Sequence, residues 1–454
     1  MSPILLTAVV VGALLLVWLF FTERHDLALV ALLLYLGLLD GYLKLRTDSS
    51  TVTLVRDALL YAIVLGVVGR RVLRRQPLVL PPLSGWVLLY TGVVAVQVLN
   101  PGNASIGHAL ASLRPHLEFV PLFFLGYAEL RSAKRLRVLC VLLVLVAAAN
   151  GVVGYVQFRL TPAQLAAWGP GYAARVYGTG PVSGRTFTDS SGVVHTRPFG
   201  LGADAGDGGL VGMLALAPAL ALIGLGRRVA ARRLVLLLMA GVLLAIVTSQ
   251  GRADVLASVA AVLAFLAMAS AARRLVPSLV SMAAGGLMLF LVLSTLAGAA
   301  PSGLFDRYRT ISPASLTATA SSSRGSSLDL LPGYVTRFPL GAGLGSTGPA
   351  ALIAGAAHTG LDGETEFNFL IVELGLAGLV LFVAFNARLM LRALTRIRTV
   401  PDPEARILLA GLAAGLFGIA ATYFAGPSSS ASPVAPFFWL TAGVLSYWLW
   451  EVRA

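Results

Sequence analysis

Residues 236–265 read LLLMAGVLLAIVTSQGRADVLASVAAVLAF, two apolar runs joined by a few polar residues. Each run approaches the ~20 residues that a helix needs to cross a hydrocarbon core of about 30 Å, and neither alternates as the ~10-residue strands of an outer-membrane barrel do. The joining segment, SQGR at 249–252, is long enough only for a turn. A pair of membrane helices closed by that turn accounts for the stretch and holds Arg252 at the membrane interface. A charge fixed there and facing the bundle reads by default as a functional site, with Asp254 as a structural partner.

The pattern recurs along the chain. Of 454 residues, 57% are hydrophobic and 12% charged, which leaves too little polar surface to cover a body of this size in water. Apolar runs at 3–21, 27–43, 53–69, 84–99, 115–130, 138–158, 207–225, 234–250, 253–270, 276–299, 367–386, 407–425 and 433–450 predict an all-α integral membrane protein. The count is about thirteen transmembrane helices, within a range of about eleven to fourteen. Residues 3–21 are read as a retained helix, because no basic segment precedes them and no small-residue cleavage site follows.

A net charge of +14 would suit nucleic acid if it formed one patch. It lies instead in alternate loops: GRRVLRRQ at 69–76, RSAKRLR at 131–137, GRRVAARR at 226–233, AARR at 271–274, and the segment from Arg388 to Arg406. By the positive-inside rule these loops face the cytoplasm. With each charge assigned to its nearer side, the cytoplasmic side carries 21 of the 34 Lys and Arg but 6 of the 20 Asp and Glu. The positive charge is topogenic, no nucleic-acid partner is expected, and the odd helix count puts the N-terminus outside.

The chain reads as a single polytopic domain over 1–454: N-terminal helices at 1–158, an outer loop at 159–206, helices at 207–299, a long outer loop at 300–366, and C-terminal helices at 367–454. Long loops on one face of a bundle are where function usually sits. Both carry arginines on the side that the sorting rule leaves poor in them. The outward cations are Arg114, Arg159, Arg175, Arg185, Arg197, Arg252, Arg307, Arg309, Arg324 and Arg337, with Lys44, Arg46 and Arg56 near the first helices. A guanidinium offers a planar fork of donors suited to phosphate, and any one of these can equally pair with a loop acid or snorkel to headgroups.

In SSSRGSSLDLLPGYVTRFPLGAGLGSTG, 321–348, a short helix at 324–332 leads from Arg324 into the glycine run GAGLGS. That run is either a phosphate cradle or a tight turn; it follows no strand, which excludes a dinucleotide fold. GETEFNFLIVELGLAGLVLF, 363–382, sets Glu364 and Glu366 at the threshold of the next helix. There a carboxylate either caps the helix or serves as a general base beside the arginines. Glu373, deeper in the span, is expected to make a structural hydrogen bond or ion pair. His25, His108, His116, His195 and His358 form no metal-ligand spacing, and the single Cys140 excludes an intramolecular disulfide. The expected chemistry is metal-independent and needs no cofactor.

Three of these stretches resemble the O-antigen ligase and polymerase superfamily, polytopic inverting glycosyltransferases that use undecaprenyl-diphosphate-linked sugars. Residues 236–265 are similar to its paired helices joined by a Ser-Arg-Gly-like turn. SSSRGSSLDLLPGYVTRFPLGAGLGS is similar to its run of arginine, short helix, proline and spaced glycines. ETEFNFLIVELGLAGLVLF is similar to its segment that begins His-Asn and continues into Glu-Leu-Gly-x-x-Gly. TRPFGLGADAGDGGLVGMLALAPAL, 196–220, also resembles its arginine-containing loop entering a helix, without the usual Asn. The likeness covers about residues 190 to 385. Anchored on Glu373, Leu374 and Gly375, the family's histidine falls on Glu364 and its asparagine on Thr365.

The resemblance implies a GT-C-like membrane fold with a cavity at the outer leaflet, covered by the long periplasmic loop at 300–366. It implies arginines that hold the donor pyrophosphate, matched at Arg252 and Arg324, with Arg197 and Arg337 as further candidates. The base would be Glu364 or Glu366, with His358 and Asp362 next in line. The partners would be an undecaprenyl-diphosphate-linked glycan donor, a glycan acceptor, membrane lipid and, as a candidate, a chain-length regulator. The setting would be the bacterial inner membrane, with the site toward the periplasm. The lost histidine favours a polymerase of O-antigen or exopolysaccharide repeats; the alternative is a ligase that transfers glycan to lipid A core or a protein. A transporter of an anionic or lipid-linked substrate is the reading from another class. Against it stand the lack of an inverted repeat and the gathering of charges at one face.

Overall fold

Leucine, alanine and valine fill the apolar runs, and a backbone that finds no water in hydrocarbon must satisfy its own N–H and C=O groups, so these runs fold as helices. The computed structural model describes residues 3–49, 51–77, 79–178, 186–189, 192–226, 229–269, 307–308, 325–348, 351, 361 and 363–452. In order come α1 (Pro3–Phe21), α2 (His25–Leu34), which runs through a π turn at Tyr35–Leu39 into α3 (Asp40–Thr47), α4 (Thr51–Leu73) and α5 (Ser84–Val96). Short helices α6 (Ile106–Ser112), α7 (Arg114–Leu117) and α8 (Pro121–Glu129) precede the long α9 (Ala133–Arg159). Next are α10 (Pro162–Ala166), α11 (Pro170–Tyr177) and an antiparallel hairpin, β1 (Thr186–Thr188) and β2 (Val194–Thr196), with Phe187 opposite His195. The second half comprises α12 (Asp207–Leu225), α13 (Val229–Thr248), α14 (Arg252–Ala269), α15 (Gly325–Asp329), α16 (Leu331–Arg337), α17 (Glu366–Arg396), α18 (Pro403–Thr422) and α19 (Val434–Trp450).

Among the described residues, 7 helical segments are long and apolar enough to cross a membrane, and Val10–Phe21, Ser84–Leu99 and Val434–Trp450 are shorter apolar helices. The chain is an all-α membrane protein. The span expected at 276–299 lies outside the described residues. The one expected at 115–130 is divided instead between α7 and α8, because Pro115 and Pro121 each fit only in a first helical turn. Likewise the short helix expected at 324–332 is two, with Pro332 in the first turn of α16.

The buried helix α12 packs against α9, α13, α14 and α18. Without a hydrophobic drive between helices in lipid, close approach depends on small residues. A Cβ on Gly151 of α9 would overlap the Gly241 carbonyl oxygen of α13, and one on Gly443 of α19 would overlap the Phe123 carbonyl oxygen of α8. Large apolar side chains such as Leu14, Leu65, Leu88, Leu237 and Val380 remain exposed around the outside, as lipid-facing residues do.

The basic segments at 69–76 and 131–137 gather at one end with Glu23 and Glu404. Arg70 donates to the carbonyls of Phe21 and Thr22 at 3.0 and 3.1 Å, Arg74 pairs with Glu23 at 2.9 Å, Arg135 with Glu129 at 3.3 Å and Arg137 with Glu404 at 2.8 Å. Helix alternation therefore carries the 249–251 turn, the 159–206 loop and the start of α17 to the opposite end, where the candidate site lies.

Candidate functional site

Six of the thirteen outward cations have the following partners in the fold. Arg56, 4% exposed, pairs with Asp40 at 3.1 Å and with Glu118, and its guanidinium lies 5.2 Å from the Phe119 ring centre. Lys44 pairs with Asp40 at 2.9 Å, and Arg114 with Asp57 at 2.7 Å and Glu118 at 3.1 Å. Three acids and three bases thus form one network, buried at Asp40, Arg56 and Glu118 and half-buried at Lys44, Asp57 and Arg114, that ties α3, α4 and α7 together. Arg46 donates to the Trp168 carbonyl, Arg159 lies over Tyr155, and Arg337 is exposed and lies over Phe338 at 5.1 Å. Arg337 is not among the arginines whose charge acts on Arg307.

Arg197, Arg252 and Arg307 come together. Arg252, read from sequence as the last residue of the SQGR turn, instead opens α14, because the turn is confined to 249–251. Inside that turn Ser249 donates to Asp254 at 2.8 Å and accepts from the Gly251 N–H at 3.1 Å, which locks the hairpin tip. Arg197 arrives on the loop between β2 and α12. That loop is bound to α9: Gln157 Oε1 accepts from Phe199 and Gly200 N–H at 2.8 and 2.9 Å, and Asn150 Oδ1 accepts from Leu201 N–H at 2.8 Å. A Cβ at Gly206 would stand 3.3 Å from Arg197 Nη2 and 3.8 Å from Asp254 Oδ2, so guanidinium and carboxylate flank the same backbone.

Arg307 is positioned through its neighbour: the Tyr308 hydroxyl donates to the carbonyls of Ile246 and Val247 at 3.1 and 2.9 Å, at the end of α13. Burial and the positive charges of Arg197 and Arg252 pull the Arg307 guanidinium down from 12.5 to about 10. Burial first and like charge second disfavour the protonated form, and an anion bound among the three would relieve the second. Arg307 appears in sequence only as one of many outward arginines; its short separation from an anchoring tyrosine is the signal that could have raised it.

The start of α17 forms a second cluster. Thr365, not a glutamate, caps the helix, its hydroxyl accepting from Asn368 N–H at 3.2 Å. Glu366 is fully buried and accepts from Ser429 through both carboxylate oxygens, from the backbone N–H at 2.9 Å and from the hydroxyl. This ties α17 to the connection between α18 and α19. Glu364 is exposed just before the helix. Asn368 donates to the Ser327 carbonyl at 2.6 Å, so α15, which begins directly after Arg324 in sequence, is docked on the same turn. Arg324, His358 and Asp362 lie outside the described residues.

The glycine run is a clamp, not a cradle. Gly375 takes φ 70° and ψ −172°, which breaks α17 and leaves the Val372 carbonyl and the Leu376 N–H without their helical partners. The 339–342 backbone replaces both: Leu376 N–H donates to the Pro339 carbonyl at 2.9 Å, and Ala342 N–H donates to the Val372 carbonyl at 2.6 Å. Gln97 and Asn100, from the end of α5, donate to the carbonyls of Leu340 and Gly341 at 2.7 and 3.2 Å, and Asn103 accepts from Leu344 N–H at 2.8 Å. Of the N–H groups that a phosphate would need, those of Gly341, Ala342 and Leu344 are already engaged, by the Phe338 carbonyl, the Val372 carbonyl and Asn103. Glu373 makes the structural contacts expected of it, accepting from Thr347 N–H at 3.2 Å and lying 2.9 Å from His116 Nε2.

Compared with models of known protein families and with curated proteins, the chain matches none.

Proposed function

We propose that the chain is an inverting membrane glycosyltransferase that polymerises undecaprenyl-diphosphate-linked oligosaccharides at the outer face of a bacterial inner membrane. The observation that carries this reading is the convergence of Arg197, Arg252 and Arg307 from three separate segments at one end of the bundle, with Arg307 pressed by the charge of the other two. A diphosphate is a compact, multiply charged anion, and planar guanidinium forks match its oxygens. As the glycosidic bond to phosphate breaks, negative charge grows on the leaving lipid diphosphate, and arginines already in place stabilise that charge without reorganising. A site at the end of the bundle suits a donor whose lipid tail stays in the bilayer while its head group reaches the interface.

Of the two carboxylates that the resemblance offers as base, Glu366 is buried and held by Ser429, and Glu364 is exposed just before α17. A ligase acting on another acceptor would use the same donor site. Purified protein in nanodiscs, supplied with an undecaprenyl-diphosphate-linked repeat unit, should give a ladder of products that Arg252→Ala abolishes. A single-step product formed only with lipid A core would mean a ligase. Donor that moves between leaflets with no product from any acceptor would mean transport, which the break in α17 beside Glu373 and His116 would then help to explain.

A further inference from the structure

We infer that His195, oriented by Asp189, is the general base that takes the proton of the acceptor hydroxyl; this rests on the glycosyl-transfer reading above. His195 lies on β2, two residues before Arg197. Its Nε2 is 2.9 Å from Asp189 Oδ2, and Asp189 Oδ1 accepts from the Val193 N–H at 2.9 Å, so the carboxylate is itself held by the hairpin turn. The imidazole stacks on two rings, Phe158 of α9 at 5.1 Å and 2° and Phe187 of β1 at 5.4 Å and 27°. Arg307 lies 5.4 Å from the centre of that same Phe187 ring. The dyad is therefore built onto the wall of the arginine cluster.

The chemistry follows from the tautomer. A carboxylate can only accept, so Nε2 carries the hydrogen and the lone pair resides on Nδ1. Two phenylalanine rings stack on the imidazole, and Nδ1 makes no hydrogen bond among the described residues, which leaves that edge as the group's polar outlet. This is a base in a fixed orientation with a carboxylate behind it to stabilise the imidazolium that forms. In the step, the acceptor oxygen forms a bond to the anomeric carbon and its proton passes to His195 Nδ1. The bond from that carbon to phosphate breaks, and its electron pair leaves on the diphosphate held by the arginines. The configuration inverts, and water later removes the proton.

The test uses full-length protein in nanodiscs, with undecaprenyl diphosphate alone as the binding probe and the lipid-linked oligosaccharide extracted from cells lacking this protein as the substrate. His195→Ala should bind the probe as the wild type does and lose about 10²- to 10⁴-fold in turnover, the range for general-base removal. Added imidazole, which fits the space vacated against Phe158 and Phe187, should restore part of that loss. Asp189→Asn should lower turnover less, without weakening probe binding. Wild-type turnover in His195→Ala, or a loss that imidazole does not relieve while Glu364→Gln is equally inactive, would overturn the assignment and leave the glycosyl-transfer reading standing. If the wild type neither binds the probe nor consumes the substrate, the glycosyl-transfer reading itself falls, and His195 is a hairpin tie.

Discussion

Replacing Gly375 by alanine should unlatch the clamp that joins α5, the 338–346 loop and α17. Two costs can be worked from the structure. The backbone at φ 70° and ψ −172° lies in a region open essentially to glycine alone, which costs a side-chain-bearing residue about 1–3 kcal/mol. The new Cβ would also stand 2.6 Å from the Pro339 oxygen and the Leu340 carbonyl carbon, and because these are backbone atoms the loop must move. Moving it weakens the bonds from Leu376 to Pro339, from Ala342 to Val372 and from Gln97 to Leu340, each worth about 1 kcal/mol net. The sum is roughly 4–6 kcal/mol. Unfolding of the purified protein, titrated with SDS in mixed micelles, reads this directly. Gln97→Ala should cost about 1 kcal/mol in the wild type and almost nothing in the Gly375→Ala background, since the loop it grips has already moved. Wild-type stability in Gly375→Ala, or full additivity of the two changes, would refute the clamp.

Three further outcomes follow from the same contacts. Glu366→Ala leaves the buried Ser429 groups without an acceptor and should lower stability by about 2–4 kcal/mol in the same titration, whereas the exposed Glu364→Ala should change it by less than about 0.5 kcal/mol. Gly443→Leu should prevent the approach of α8 and α19, seen as loss of a monodisperse peak on size exclusion; an unchanged peak would contradict the packing. Arg307, with its guanidinium lowered to about 10, should lose its charge as pH rises through that value, earlier than an ordinary arginine. Affinity for undecaprenyl diphosphate should therefore fall between about pH 9 and 11, and the fall should be absent in Arg307→Ala. The sign for folding is opposite: below pH 10 the crowded charge opposes the native state, and that penalty fades as the group deprotonates.

Long apolar runs were legible because hydrocarbon leaves a backbone little choice: α12 has the bounds read from sequence, 207–225, and the turn expected at 249–252 lies at 249–251. What periodicity could not show is where helices break for reasons that lie elsewhere in the chain. The side chains that hold the loop against the break at Gly375 sit just past α5, with Gln97 separated from Leu340 by 243 residues. The glycine run at 341–345 looked equally suited to phosphate or to a turn until those side chains were seen to hold it. Glu366 read as a base or a cap, and only the return of the chain near Ser429 reveals it as a buried tie between helices. The arginines were visible as a set too large to be topogenic; which of them meet depended on Gln157, Asn150 and Tyr308, polar residues with no motif of their own.

The most direct measurement of the central claim is the affinity of nanodisc-embedded protein for undecaprenyl diphosphate, wild type against Arg197→Ala, Arg252→Ala and Arg307→Ala, at one fixed salt concentration. Each arginine supplies charge-assisted bonds worth about 1.5–3 kcal/mol, so each variant should bind about 10- to 150-fold more weakly, while Arg337→Ala, at an arginine that lies over Phe338 and is not among those acting on Arg307, should bind as the wild type does. Equal affinity across all the variants would mean that the three arginines hold the fold rather than a diphosphate.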